Sequence, residues 1–186
     1  MTIARTISSR ISRALNFYNS TSIYFGIGKS SAWTASDYPD PASVPADPES
    51  SPPSPDISST DIVEPIGYKQ VTTKYLVIPY LGGTTLPTDI IIDYGSTKWI
   101  VVDSANALSK QAFYAYVECD IAPADFALGP YRQVGVFNSF VPKTAGEIIV
   151  PVSDVTNVGT LEILDNRVSI TRQTGVTEKL SYVLKF

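Results

Sequence analysis

The side chains of this 186-residue chain that could do chemistry are few, and the most useful one is missing, because there is no His. Without imidazole the usual neutral-pH base and the commonest metal ligand are gone. A Ser-His-Asp relay, a Cys-His dyad and a His-built zinc hydrolase are therefore excluded. The single Cys, Cys119, cannot form an internal disulfide, and within Tyr114-Ala115-Tyr116-Val117-Glu118-Cys119 it reads as a small packed strand residue. Gly28-Lys29-Ser30 follows a strand-like run and looks like the end of a phosphate-binding loop. The leading Gly of such a loop would fall where Ile23 stands, and Trp33 and prolines follow where a helix must begin. Lys29 is read instead as a solvated or interface charge. Asp89, Asp93 and Asp103 lie in or beside adjacent predicted strands, and two facing acids can hydrolyse a glycosidic bond. Acids at turns and strand ends ordinarily serve local hydrogen bonds, so a structural role is expected, and no Asp-x-Asp-x-Asp-Gly calcium loop occurs. The sequence thus offers no catalytic residue, no metal ligand and no cofactor site, and no small-molecule substrate is expected.

The elements that must position these groups are mostly strands. Ile3, Ile7, Ile11, Leu15 and Tyr18 recur at helical spacing with Arg5, Arg10 and Arg13 between them, which predicts an amphipathic N-terminal helix packed on a core or partner. The stripe is short and no apolar run reaches membrane-spanning length, so no membrane association is expected. Ser22 to Gly28 then reads as a strand. Residues 34–65 shift sharply to Pro, Ser, Ala and Asp. Their crowded prolines forbid a regular helix or interior strand and predict an extended arm, laid across a neighbouring surface or left mobile. From Gly67 onward short Val-, Ile-, Thr- and Tyr-rich runs alternate with turn residues, with turns expected at Gly82-Gly83, Asp165-Asn166 and Thr174-Gly175. The fold class expected is all-β, a sandwich-like antiparallel core with an N-terminal amphipathic helix and a long Pro-rich arm. The organisation expected is 1–33 for helix and first strand, 34–65 for arm or linker, and 66–186 for the sandwich-like domain.

Composition points the same way. Eighteen Asp and Glu against fourteen Lys and Arg give a net charge of −4, with the cations dispersed, which argues against nucleic acid as a partner. Eleven Tyr, seven Phe and two Trp supply the amphipathic contact area that protein interfaces use. The interface candidates are Phe17, Tyr18, Tyr24, Trp33, Tyr38 and Trp99. For Trp33 and Trp99 core packing and partner contact both stand open, and Trp33 is read as the anchor of the arm.

Two motifs carry a family resemblance. Arg13-Ala14-Leu15-Asn16-Phe17-Tyr18-Asn19-Ser20 is followed by Ile23-Tyr24-Phe25-Gly26-Ile27-Gly28-Lys29-Ser30-Ser31-Ala32-Trp33. This pattern resembles the dimeric baseplate wedge proteins of T-even type contractile-tailed bacteriophages. Thr73 to Tyr80, Tyr131-Arg132-Gln133-Val134-Gly135-Val136, Leu164-Asp165-Asn166-Arg167 and Glu178 to Phe186 resemble further segments of that family. Residues 34–65 depart from it, standing where the family carries a much larger insertion, so this chain looks like a shortened relative. The resemblance implies a non-enzymatic structural subunit of the virion tail baseplate, assembled in the host cytoplasm. It further implies a homodimer within each wedge, joined to other baseplate wedge proteins by protein–protein contacts. A head-to-tail connector or tail-completion protein is the alternative, sharing the same β-rich, interface-dominated character.

Overall fold

The computed structural model describes residues 6–82 and 88–186. Ile3 and Arg5 of the expected helical stripe, and Gly83 of the expected Gly82-Gly83 turn, lie outside the described residues. Among the described residues one α-helix, α1 (Ile7–Asn19), precedes twelve strands. These are β1 (Ile23–Gly28), β2 (Gly67–Gln70), β3 (Thr73–Pro79), β4 (Ile91–Tyr94), β5 (Thr97–Val102), β6 (Tyr114–Ile121), β7 (Gly129–Asn138), β8 (Val141–Pro142), β9 (Ile149–Pro151), β10 (Val155–Asn157), β11 (Thr160–Arg172) and β12 (Glu178–Lys185). The chain is therefore all-β with antiparallel sheets, one N-terminal helix and a long Pro-rich segment. It divides into two compact units, the first holding Met1–Ser20, Thr72–Cys119 and Leu180–Phe186, the second Thr21–Val71 and Asp120–Lys179.

In the first unit, α1 begins where the Thr6 hydroxyl accepts a hydrogen bond from the Ser9 N–H at 3.2 Å, satisfying a donor that has no partner inside the helix. It ends where the Ser20 N–H reaches back to the carbonyls of Asn16 and Phe17. The buried stripe is Ile11, Ala14 and Phe17; of the expected stripe Ile11 is buried, Leu15 and Tyr18 are half-buried and Ile7 is exposed. The helix is rotated because Phe17 packs on Phe186, with ring centroids 5.3 Å apart, while Tyr18 lies under the Lys74 ammonium at 5.6 Å. The sheet of this unit has the order β12-β6-β3-β5-β4. Register pairs Leu76 with Ala115 on one side and Val102 on the other, so strand alternation sends Leu76, Ala115 and Val117 to one face. Cys119 belongs to that same set and is fully buried.

The second unit is built on the order β11-β7-β1-β2-β9. Gly26 of β1 pairs with Gly135 of β7, and the rings of Phe137 and Tyr68 lie across this pair so closely that a Cβ on either glycine would stand within 3 Å of ring carbons. That is why two glycines sit mid-strand, where they ordinarily weaken a sheet. Tyr24, Ile62, Tyr68, Phe137, Phe140 and Val150 form the adjoining core, with Tyr24 and Phe140 stacked at 4.4 Å. Asp165-Asn166, expected as a turn, lies inside the continuous strand β11. The extra residues are absorbed as bulges, between Leu161 and Ile163 and between Asn166 and Ile170, where β11 slips against β7. Thr174-Gly175 does turn, with Gly175 at φ +82°.

Residues 29–66 connect β1 to its antiparallel neighbour β2. The Pro-rich arm expected to lie on a neighbour or stay mobile is laid instead over the second unit's own surface. Short 3-10 turns at Ala35–Asp37 and Pro41–Ser43 punctuate it, and Tyr38 and Ile62 are buried.

Candidate protein–protein interface

The arm is held by a polar network in which each link follows from a side chain with few alternatives. Arg132 of β7 projects from the strand and directs Nε to both Glu49 carboxylate oxygens at 2.9 Å, while an Nη donates to the Ser30 carbonyl at 2.7 Å. Glu49 also accepts the Trp33 backbone N–H. The Trp33 indole, buried and 5.5 Å from the Lys29 ammonium, donates Nε1–H to the Arg167 carbonyl at 2.9 Å. Gln133 accepts the Val63 N–H at 2.6 Å and donates to Asn166, which in turn donates to the Pro53 carbonyl at 2.9 Å. Tyr38 donates its hydroxyl to the carbonyls of Pro48 and Ser51. Prolines supply carbonyls without N–H groups, so a Pro-rich segment is best tied down by donors on the sheet beneath it.

Electrostatics reinforces the tie. Residues 37–64 contain seven carboxylates and no cation. Lys29, expected as a solvated or interface charge, has φ +56° and is buried, and its ammonium pairs with Asp37 at 3.1 Å and Glu64 at 3.8 Å. Glu64 accepts from the Ser31 hydroxyl and N–H and from the Ser30 hydroxyl, and these bonds, with Lys29 adding to them, lower its carboxyl to about 2. Tyr38 is pushed the other way, by burial first and then by the negative charges of Asp37, Asp47 and Glu49. Asp40, Asp47 and Asp56 have no ion-pair partner among the described residues and cap backbone N–H groups at Ala42, Glu49 and Ser58. The network encloses a cleft of about 270 Å³ beside Trp33, Tyr38, Pro39, Pro53 and Asp56.

Of the six residues expected at an interface, Phe17, Tyr24, Trp33, Tyr38 and Trp99 are buried by the chain's own atoms, and Tyr18 is half-buried. Tyr24 and Trp33 face the second unit's core and arm, and the Tyr24 hydroxyl donates to the Glu147 carbonyl at 2.6 Å. Trp99 lies on the sheet of the first unit, 5.0 Å from Tyr114. The acids weighed for hydrolysis have local work. Asp93 pairs with Lys98 at 3.4 Å in full solvent, and Asp103 caps the turn at Ser104–Asn106. Among the described residues no group of His, Cys, Asp and Glu is placed to hold a metal ion, and no helix is long and apolar enough to cross a membrane.

Sequence reasoning missed Glu49, Glu64, Arg132, Gln133 and Asn166 as the residues that tie down the arm. A signal existed. The segments Gly28 to Trp33, Tyr131 to Val136 and Leu164 to Arg167, which carry the family resemblance, are far apart in the chain, and they converge on the underside of the arm.

The whole chain, residues 1–186, matches the family described as "Baseplate wedge 3 tail fiber network component". It is 32% identical over 186 residues to "Virion protein 3" of Enterococcus phage phiEF24C, covering 96% of this chain and 92% of that protein. The chain belongs to the baseplate wedge 3 tail fiber network component family, structural proteins of the phage virion's tail baseplate.

Proposed function

We propose that this protein is a non-enzymatic subunit that joins neighbouring wedge proteins of a contractile-tail baseplate, acting as a homodimer within each wedge and helping to pass the baseplate's rearrangement to the sheath. The observation that carries this reading is the family match over the whole chain, which supports a structural role in the baseplate. The side-chain chemistry is consistent with it. Several buried or half-buried charges of the second unit are spent on fixing the arm, as in Arg132 with Glu49 and Lys29 with Asp37. Fixing a surface before docking removes ordering entropy from the binding step, the main cost that a subunit interface must offset. Under this reading Tyr18 meets partners directly. Phe17, Tyr24, Trp33, Tyr38 and Trp99 act by holding the segments that do.

The test is a reconstruction of the intact tail together with assembly of a Trp33→Ala variant. The expected result is density for this chain in each wedge, in paired copies, and reduced incorporation of the variant. Trp33→Ala particles that assemble with full occupancy, or a chain found away from the baseplate wedge, would defeat the proposal. Trp33→Phe, which keeps the ring and loses the bond to the Arg167 carbonyl, should retain most incorporation and so separate misfolding from a lost anchor.

A further inference from the structure

The arm leaves two adjoining clefts on the second unit. The cleft of about 270 Å³ beside Trp33 and Tyr38 shares Asp56, Ser59 and Leu164 with a second of about 290 Å³, which Ile57, Leu161 and Glu162 help to line. Together they make one groove against β11, the outermost strand of its sheet. Leu161 and Leu164 of that strand are half-buried on the core around Tyr24 and Phe137, so the groove is apolar on this side. The bulge between Leu161 and Ile163 leaves Glu162 without a partner on β7. Such a kink re-aims a side chain, and that of Glu162 lines the second cleft. The remaining lining belongs to the arm, where Pro53 is tied to Asn166 and Val63 to Gln133. The groove is open to solvent, since Ser54, Pro55, Asp56 and Val63 are exposed and Ile57 is 104% exposed. A large aliphatic side chain held fully in water on a pinned, proline-stiffened turn is preorganised for burial against something else.

Charge selects what can enter. Among the described residues no Lys or Arg lines either cleft, whereas Asp37, Asp56 and Glu162 do. Asp37 is answered by Lys29 at 3.1 Å, but Asp56 and Glu162 have no ion-pair partner among the described residues. The second unit as a whole has seven Lys and Arg against fourteen Asp and Glu, net −7. A field of that sign draws in cations and turns away phosphates, carboxylates and nucleic acid. The leucines, prolines and Val63 in turn give a bare cation nothing to bury, so an occupant that uses the whole groove carries positive and aliphatic groups together. Successive side chains of an extended segment supply both within a few residues.

We propose that this groove receives a basic, extended segment of another baseplate protein, one in which aliphatic side chains stand beside Lys or Arg; the proposal rests on the subunit-joining reading above. The aliphatic groups lie on Leu161 and Leu164 and against Pro53 and Val63, the cations meet Asp56 and Glu162, and Ile57 loses its water to the incoming chain. Because the arm is already fixed, docking has only the incoming segment to order. The charge speeds encounter, and the apolar burial slows release.

The full chain, labelled with nitrogen-15, tests this by titration with the capped peptide acetyl-Arg-Leu-Arg-Leu-Arg-amide. The Trp33 indole and the Ser54, Ile57 and Leu164 amides should shift and saturate together, while the Val77 amide of the first unit stays in place. Asp56→Asn keeps the oxygen that caps the Ser58 N–H, and combined with Glu162→Gln it should weaken binding about fivefold, the effect of losing two partly exposed ion pairs. Salt should weaken the wild type and leave that double variant nearly unchanged. Ser54→Trp, which fills the groove from an exposed position, should abolish the shifts, with unmoved Phe25 and Val136 amides certifying the fold. Equal binding of acetyl-Arg-Ser-Arg-Ser-Arg-amide would reduce the effect to charge alone and overturn the inference, as would equal binding of acetyl-Glu-Leu-Glu-Leu-Glu-amide or no saturable shift. In assembled tails, a photoreactive residue at Ile57 should cross-link to another baseplate protein at a segment with Lys or Arg beside an aliphatic residue. Cross-links to an acidic segment, or to no other protein, would overturn the inference too. None of these failures touches the subunit-joining reading, which the location of the chain in the tail decides independently.

Discussion

Breaking the Arg132–Glu49 pair should release the Pro-rich arm without unfolding the sheet beneath it. Arg132 exposes 9% of its side chain and Glu49 33%, with Nε 2.9 Å from the carboxylate. Removing one partner of a fully buried pair costs about 3–5 kcal/mol. Here Glu49 keeps a third of its side chain in water and retains the Trp33 N–H, so solvent screening reduces the expected loss to about 2 kcal/mol. Arg132→Met keeps the apolar stem and removes the charge and both hydrogen-bonding arms. Amide exchange should then accelerate about thirtyfold at the Trp33 and Val63 N–H groups, the conversion of ~2 kcal/mol at tenfold per 1.4. Amides of β1 and β7, such as Phe25 and Val136, should change far less. A double-mutant cycle with Glu49→Gln in urea unfolding should give a coupling of about 1.5 kcal/mol. A coupling under ~0.5 kcal/mol, the level of an exposed surface pair, would refute the reasoning. So would arm amides that exchange no faster in Arg132→Met than in the wild type.

Glu64 carries a pH consequence. Its carboxyl is lowered from 4.5 to about 2, so its contribution to stability is fully present above the unfolded value and is lost as pH falls through 4.5 toward 2. With 40% of the side chain exposed, screening leaves this contribution at about 1 kcal/mol, and Glu64→Gln should flatten the acid limb of a stability–pH curve by that amount while changing little between its pH 3 and pH 2 values. Gly159 sits at φ +75°, where an added Cβ would stand 2.2 Å from the Asn138 carbonyl oxygen. Gly159→Ala should therefore cost about 3 kcal/mol and lower Tm by roughly 6–12 °C by calorimetry. An unchanged Tm would mean that the β10–β11 connection relaxes freely.

The parts of the fold legible in the sequence were those decided by neighbours along the chain. Thr73–Pro79, Thr97–Val102 and Glu178–Lys185 are runs of the Val-, Ile-, Thr- and Tyr-rich kind expected as strands, because β-branched and aromatic residues between turn formers suffice. Gly67–Gln70 is a strand for another reason. Its four residues have little pattern of their own, and pairing with β1 and β9 on both sides makes them one. Asp165-Asn166 carried a turn signature, but β7 offers a continuous partner and a bulge costs less than abandoning those hydrogen bonds. The helix was legible, and its buried face was not, since Phe17 rather than Leu15 finds the Phe186 ring.

The candidate site divides in the same way. The motif holding Lys29 and Trp33 stood out, as did those holding Arg132, Gln133 and Asn166, but nothing local said that they would meet. Seven acids without a cation in residues 37–64 were visible as composition, whereas their partners lie at Lys29 and Arg132, outside the segment.

By itself the amino-acid order determined the absence of imidazole chemistry, the antiparallel β class, the amphipathic helix and the family, all of which depend on residue type and short-range spacing. Only the tertiary structure decided that the proline segment lies on its own chain and that Lys29 is buried between Asp37 and Glu64. Those outcomes depend on which distant surfaces come together, and a side chain's charge or aromaticity states what it can bind without stating what it will find.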